Sequence, residues 1–484
     1  MQSTPSRLRS PACVSSDSRS LIETYAPLTG GSFKETLANA KKYAMLSESS
    51  LDEFSNRSAG REHKRSRTKL TVIGPPVAVT KINSYGQPEE PRFVHGSLKM
   101  LRGNGLYLML IFVPIACMSE TFHFSEAMVF FLSCLAILPL AGLLGEATEQ
   151  VAFHTNETLG GLLNATFGNA TELIVAYFAL KKGLLEVVQV SLLGSILSNT
   201  LLVLGCSCLA VGIRQTQAKF NLVAAQANTT LLQIAILGLV VPTAMESTGQ
   251  FAVHGEVDLI LSRGISISLL VLYVLYVYFQ LFTHAALFED PRAAPEGSEQ
   301  VQPAEEILLP FSGAMVWLAG ATILIAYLSE ALTGAIEGTT AQLGISDTFV
   351  GFVIIPIIGN AAEHSTAIAM AWKGKMDLAF GVALGSSTQI ALFVIPVMVI
   401  LGWIIDQPMD LYFGVYETVI TFLSALIVSH VVGDGETNWL EGAMLLFTYF
   451  IICFAFFFYH HDPTRASPAD TLTSARLLAE AIGK

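Results

Sequence analysis

Charged side chains are scarce in this sequence. Asp, Glu, Lys and Arg make up 14% of the 484 residues, whereas 52% are hydrophobic. A soluble domain carries about 25% charged residues. With so few charges and a mean hydropathy of +0.55, a water-soluble particle could not cover its apolar side chains. The composition therefore excludes a soluble globular protein and predicts that most of the chain lies in lipid.

Cysteine is also rare, and an early apolar run is missing. The chain has six cysteines, and five of them lie inside apolar runs, where cysteine is usually a small buried residue. They form no pattern typical of a secreted disulfide framework. The first long apolar run begins near Gly105, too late for a signal peptide.

The charges that are present are unevenly distributed. Residues 1–103 hold 16 of the 27 Lys and Arg but only 9 of the 39 Asp and Glu. We interpret this segment as a disordered basic tail, since it has no sustained apolar periodicity. The remaining chain is strongly acidic, which argues against nucleic acid as a partner and suits a cationic substrate.

After Asn104, apolar runs long enough for a membrane helix recur, since a bilayer core needs about 20 residues per helix. They predict an all-α polytopic membrane protein with about eleven transmembrane helices. The predicted spans are 104–119, 125–146, 158–181, 186–213, 220–245, 260–286, 308–334, 347–372, 377–405, 412–433 and 439–460.

An acidic segment, residues 287–307, divides the spans into two halves of five, 125–286 and 308–460. It contains six acidic residues and one Arg. The region 104–124 is then an extra first helix, and 461–484 is a C-terminal tail. Basic residues favour the cytoplasmic side, which predicts that the N-terminus and the acidic linker are both cytoplasmic.

The two halves share a segment that aligns without a gap. GNATEL at Gly168 and GNAAEH at Gly359 begin the two copies, and the polar residues and glycines match. The copies lie in the third and eighth spans, which are five places apart in the series; because five is odd, they cross in opposite directions. This predicts an inverted repeat with a substrate site near the bilayer midplane, as in many secondary transporters.

Each copy carries Asn and Glu three residues apart, on one helix face. An ionised glutamate at mid-bilayer costs roughly 2.5–3.5 kcal/mol, so it persists there only as the acid or beside a cation. Glu172 and Glu363 can together neutralise one divalent ion, while Asn169 and Asn360 add amide oxygens of the kind that calcium prefers. Protons and metal then compete for the same carboxylates, which is the chemistry of an antiporter.

Further residues complete the predicted cation site: Gly168, Gly359, Ser195, Ser386 and Gln389. The glycines can interrupt a helix and free its carbonyl groups. The hydroxyl and amide groups, with Ser198 and Asn199 beside them, either supply oxygens or hold helices together.

Three residues are candidates for a proton relay. Glu146 in LLGEATE and Glu330 in YLSEALT occupy matching contexts in the two halves, and His364 follows Glu363. The alternative for the two glutamates is helix capping at the membrane surface. The alternative for His364 is ordinary packing.

At these residues the sequence resembles the cation/proton exchanger (CAX) family of the calcium/cation antiporter superfamily. GNATEL and GNAAEH are similar to its two signature repeats, and GSILSN and GSSTQI to its polar stretches. The resemblance implies a vacuolar calcium/proton exchanger, with Glu172 and Glu363 as the repeat carboxylates and Asn169 and Asn360 as the repeat amides.

The expected function is therefore exchange of calcium, or of other divalent cations such as manganese, for protons across the membrane of an acidic organelle such as the vacuole. Calcium and protons are cargo, and we expect no cofactor, no enzymatic activity and no nucleic-acid partner. Homo-oligomers are compatible with the sequence. The alternatives are a sodium/calcium-type exchanger, a cation channel and an intramembrane hydrolase.

Overall fold

The structure of the protein, a computed structural model, describes residues 93–119, 121–248, 256–288 and 307–458. Apart from Ile307, they lie in one compact unit. The predicted tail up to residue 92, most of the acidic linker and the C-terminal segment 461–484 lie outside the described residues.

The elements before the linker are helical apart from one short strand. In chain order they are α1 (Phe93–Gly103), a 3-10 helix (Gly105–Ile111), α2 (Phe112–Met118), α3 (Glu126–Phe153), α4 (Glu157–Phe167), α5 (Ala170–Lys181), α6 (Leu185–Leu197), a π-helix (Ser198–Val203), α7 (Leu204–Gly212), β1 (Ala218–Lys219), α8 (Leu222–Ser247), α9 (Glu256–Tyr278), a π-helix (Phe279–Thr283) and a 3-10 helix (Ala285–Leu287).

The elements after the linker follow a similar plan. They are α10 (Phe311–Gly334), α11 (Ile336–Leu343), α12 (Asp347–Phe349), a π-helix (Val350–Ile354), α13 (Ile355–Gly359), α14 (Ala361–Trp372), α15 (Met376–Gln389), a π-helix (Ile390–Val394), α16 (Ile395–Ile404), α17 (Val415–Val431), β2 (Glu436–Thr437) and α18 (Trp439–Phe458).

Among the described residues, seven helices are long and apolar enough to cross a membrane, or nine if each of two bent helix pairs crosses once. The polytopic all-α class is therefore confirmed. The count of eleven stays a prediction, because the remaining predicted spans coincide with shorter or interrupted helices such as α4, α5 and α17.

Two details of the sequence prediction were wrong. Residues 93–103 were assigned to the disordered tail but form helix α1, because Gly96, Ser97 and Met100 repeat at helical spacing and are buried. The chain also contains a two-stranded antiparallel sheet that pairs Ala218 with Thr437 and Lys219 with Glu436. Strands of two residues are too short to leave a period in the sequence.

The glycines matched between the two repeat copies end two equivalent helices. Gly183 after α5 and Gly374 after α14 both have left-handed backbone, with φ of 77° and 78°. In both, the amide of the next residue donates to a carbonyl five positions back, Leu184 to Ala179 and Lys375 to Met370. This is the Schellman helix end that glycine favours, and it fixes where each repeat helix stops.

A second pair of glycines brings the two halves into close contact. A Cβ at Gly194 of α6 would collide with the carbonyl of Phe352, and one at Gly351 would lie 2.6 Å from the Val190 side chain. Helix α6 therefore packs directly on the π-helix Val350–Ile354. That contact places the polar end of α6 beside the second repeat segment.

Candidate functional site

Both repeat segments are broken at their asparagine. Asn169 separates α4 from α5 with φ −105° and ψ 22°, and Asn360 separates α13 from α14 with φ −85° and ψ 6°. Each glutamate therefore lies in the first turn of a new helix, where the partial positive charge of the N-terminus stabilises an anion. The predicted interruption near Gly168 and Gly359 is present, one residue later in each copy.

A chain of hydrogen bonds connects the second glutamate to the first asparagine. Asn199 Nδ2 donates to Glu363 Oε2 at 2.8 Å and to Ser386 Oγ at 3.0 Å. Ser386 Oγ donates to Asn169 Oδ1 at 3.0 Å, and Asn169 Nδ2 donates to Gln389 Oε1 at 2.6 Å. Residues of both halves thus form one polar network in the apolar interior.

The second asparagine contacts the first half in return. Asn360 Nδ2 donates to the backbone oxygen of Ser195 at 3.3 Å. Gly359 packs against Glu172, since a Cβ there would lie 3.1 Å from Glu172 Oε1. Each asparagine therefore contacts the second helix after the break in the other half, Asn169 in α15 and Asn360 in α6, as expected of two related halves.

Three buried oxygen atoms at this site have no hydrogen-bond donor among the described residues: Glu172 Oε2, Asn199 Oδ1 and Asn360 Oδ1. Buried polar atoms are normally paired, and unpaired ones cost about 1–3 kcal/mol each. Glu172 is 8% exposed, and both asparagines are fully buried. Carboxylate and amide oxygens of this kind are ligands that a hard cation accepts.

A small cavity of about 20 Å³ lies beside Glu172, lined also by Ser191, Ser195 and Gly359. Gly359, which lies against Glu172, is four residues before Glu363 in the chain. Within the described part of the chain no three His, Cys, Asp or Glu side chains group at metal-ligand distance. Glu172, Glu363 and the neutral amide and hydroxyl oxygens near them are donors of the kind that a hard divalent cation accepts.

The structure distinguishes among the predicted ligands. Asn360 presents its amide oxygen to the site, whereas the oxygens of Asn169 and Gln389 already accept hydrogen bonds within the network. Ser195 lies at the cavity, and Ser386 is a link of the network. Asn169, Gln389 and Ser386 thus fix the geometry around Glu363.

Of the three proton-relay candidates, the structure brings His364 to the site. Its Nε2 is 3.0 Å from the hydroxyl of Ser198, and Ser198 precedes Asn199 in the π-helix that follows α6. Short π-helical turns are frequently found at functional sites. His364 therefore contacts Ser198, and the next residue in the chain, Asn199, donates to Glu363.

The other two candidates lie elsewhere. Glu330 is exposed and faces Lys181 at 3.9 Å. Lys181 is nine residues beyond Glu172 along α5, or about 13 Å at 1.5 Å per residue. Glu146 is nine residues beyond Ile137, which lines the cavity, and it lies next to Tyr107. Neither glutamate contacts the network directly.

The comparison with known families agrees with this geometry. The model of the sodium/calcium exchanger protein family matches two separate segments, residues 125–282 and 313–458. The chain belongs to this family. Each matched segment contains one of the two Gly-Asn-x-x-Glu segments, with Glu172 in the first and Glu363 in the second.

Individual members of the family are also similar to this chain. A vacuolar calcium ion transporter from Schizosaccharomyces pombe is 46% identical over 353 residues, covering 73% of this chain and 84% of the relative. A Ca²⁺/H⁺ antiporter from Aphanothece halophytica is 43% identical over 372 residues, and the alignment covers 74% of this chain and 98% of the relative. These relatives are transporters by name.

Solved structures of exchangers have the same fold. The structure of native YfkE matches with a TM-score of 0.63 and 37% identity, covering 73% of this chain and all of that one. The H⁺/Ca²⁺ exchanger CAX matches with a TM-score of 0.54, 76% of this chain and 93% of that one. Its identity is 14%, so this second match concerns the fold alone.

Asn199 is the site residue to which sequence reasoning gave too little weight. It faces Ile390 in the gapless alignment of the two copies, so the duplication that marks the glutamates gives no signal for it. An available signal was its place in GSILSN, four residues after a serine shared by both copies and on an otherwise apolar helix. Such a residue is expensive to bury without a partner.

We expect Asn199→Ala to reduce calcium transport by about 10–100-fold, since a hydrogen bond to a charged group contributes about 1.5–3 kcal/mol. The matched control is Thr200→Ala, because the Thr200 hydroxyl donates to the Ile196 carbonyl of its own helix at 2.7 Å. Uptake into vesicles, normalised to inserted protein, measures both. Equal rates for the two variants would contradict a role for Asn199 at the site.

Proposed function

We propose that this protein exchanges calcium for protons across a membrane, using one site that either a divalent cation or protons occupy. The observation that carries the proposal is a pair of glutamates, Glu172 and Glu363, each at a helix break, with buried oxygens of Glu172, Asn199 and Asn360 left without hydrogen-bond donors among the described residues. Two carboxylates without a cation are held in an apolar interior most readily as acids. Calcium entry therefore displaces protons, and proton entry displaces calcium.

The names of similar proteins support calcium and protons as the ions. The relatives described above include a vacuolar calcium ion transporter and a Ca²⁺/H⁺ antiporter. A rice protein that is 43% identical, with 77% of this chain and 91% of the relative covered, is a vacuolar cation/proton exchanger. We infer a vacuolar or similar acidic membrane, with the N-terminus on the cytoplasmic side because its flanking segment is basic.

Alternating access follows from the two-fold plan of the molecule. Each glutamate lies at a helix break and contacts residues of the opposite half, so rocking of one half against the other can expose the site to either side in turn. The cation need not leave its pair of carboxylates during this motion. A sodium-coupled exchanger with the same repeat is the second candidate, and the family name supports it.

The test is calcium uptake by the full-length protein in sealed vesicles with an acidic interior. We expect uptake coupled to loss of the pH gradient, and we expect a protonophore to stop it. A sodium gradient imposed without a pH gradient is the matched control. Uptake that follows sodium, or that continues after the pH gradient is collapsed, would overturn the proton assignment.

A further inference from the structure

Helix α1 is fixed to the beginning of α10 by its inner face. A Cβ at Gly96 would collide with the carbonyl of Leu308, so the two backbones are in direct contact. Trp317 Nε1 donates to Ser97 Oγ at 2.9 Å, and Met100 is 2% exposed. This face explains why α1 is folded, but it contains only three of the 11 residues of the helix.

A second face of α1 is apolar and largely exposed, with Leu101 packed at its edge against the core. Val94, Leu98 and Leu101 follow the spacing i, i+4, i+7 and therefore form one stripe. Val94 is 68% exposed and Leu98 is 46% exposed, while Leu101 is half-buried. Such a stripe would be costly in water, because it would leave contiguous apolar surface unburied.

The third face of α1 is basic. His95, Lys99 and Arg102 repeat with the same i, i+4, i+7 spacing, one position after the apolar stripe, and all three are exposed. The helix contains no acidic residue. An exposed apolar stripe directly beside a basic stripe is the pattern of a helix that lies in the interface of an anionic membrane.

The direction of α1 agrees with that placement. It is bent by 106° from the following segment, Gly105–Met118, which is the predicted first span. If that segment crosses the bilayer, α1 runs nearly along the membrane surface. The apolar stripe can then face the acyl chains while the basic stripe faces the headgroups.

We propose that helix α1 (Phe93–Gly103) is a lipid-binding surface that recognises anionic headgroups beside the first span. Val94, Leu98 and Leu101 insert into the interface, and His95, Lys99 and Arg102 bind the phosphate or carboxylate groups. An acidic protein segment would account for the basic stripe alone, whereas a bilayer surface accounts for both stripes. Because α1 is fixed to α10, bound lipid would also anchor the start of that helix.

The test uses fluorescence quenching of the full-length protein in vesicles. Leu98→Trp adds a reporter on the apolar stripe, and the same protein without this change supplies the background of its four native tryptophans. Quenching by brominated phosphatidylserine and brominated phosphatidylcholine is compared in mixtures. Val94→Trp repeats the measurement if Leu98→Trp does not insert. We expect quenching of the added tryptophan, with phosphatidylserine preferred.

Removing the basic stripe should remove the preference. Lys99→Gln with Arg102→Gln is expected to lower the affinity for phosphatidylserine relative to phosphatidylcholine by about fivefold per charge. Added salt should weaken the remaining preference for phosphatidylserine. The control pair Lys373→Gln with Lys375→Gln removes the same charge from another part of the protein and should leave the preference for phosphatidylserine unchanged. Equal quenching by both lipids, or no added quenching, would overturn the proposal. The latter result would place α1 against protein. Neither readout depends on calcium transport.

Discussion

Replacing either Glu172 or Glu363 by glutamine is expected to reduce calcium exchange by about 100-fold while leaving membrane insertion intact. A single carboxylate leaves a divalent cation with one uncompensated charge in the bilayer, which costs roughly 2.5–3.5 kcal/mol. Glutamine keeps the size of the side chain and its oxygen, but it neither carries the charge nor exchanges a proton. Each variant therefore loses both functions of the site together.

The measurement is the initial rate of uptake driven by a pH gradient, normalised to protein in the vesicles. Glu436→Gln is the matched control, because Glu436 pairs with Lys219 at 2.9 Å on the two-stranded sheet and lies outside the network. Asn169 and Asn360 variants should lose less, since an amide supplies one neutral oxygen. Transport near the wild-type rate by either glutamate variant would contradict a site shared by both halves.

Enlarging Gly359 is expected to have the second largest effect. A Cβ there would lie 3.1 Å from Glu172 Oε1, which is tighter than an ordinary carbon–oxygen contact, so the carboxylate must shift. We expect Gly359→Ala to raise the calcium concentration for half-maximal transport by about tenfold, the equivalent of about 1.4 kcal/mol. Gly359→Val should abolish transport, because its methyl groups would extend into the cavity beside Glu172.

The control is Gly381→Ala. Gly381 lies in α15, and a Cβ there would meet no other atom within 4 Å. Transport by Gly381→Ala should be unchanged. The variant should be equally stable or slightly more stable, since alanine is favoured over glycine within helices. If Gly359→Ala and Gly381→Ala behave alike in calcium affinity, then Gly359 is a helix-break residue only and does not shape the site.

The sequence by itself determined the class of the molecule and its chemistry. Low charge and recurrent apolar runs require a lipid solvent, and that physical constraint leaves few structures other than a helical bundle. The duplicated Gly-Asn-x-x-Glu segment predicts both carboxylates as ligands, because an ionisable residue in lipid is too costly to be repeated by chance. The family match over residues 125–282 and 313–458 agrees with the division into halves.

The tertiary structure decided what could not be read from spacing. Asn199 reaches Glu363 across 164 positions of the chain, a contact that depends on the close packing of α6 against the second half. The same packing leaves Glu330 in a surface ion pair with Lys181, although its sequence context matches that of Glu146. Helix α1 packs through Gly96 against Leu308, just before α10, a contact between segments far apart in the chain. Local patterns fix which residues are compatible with lipid, but long-range contacts determine which of them meet.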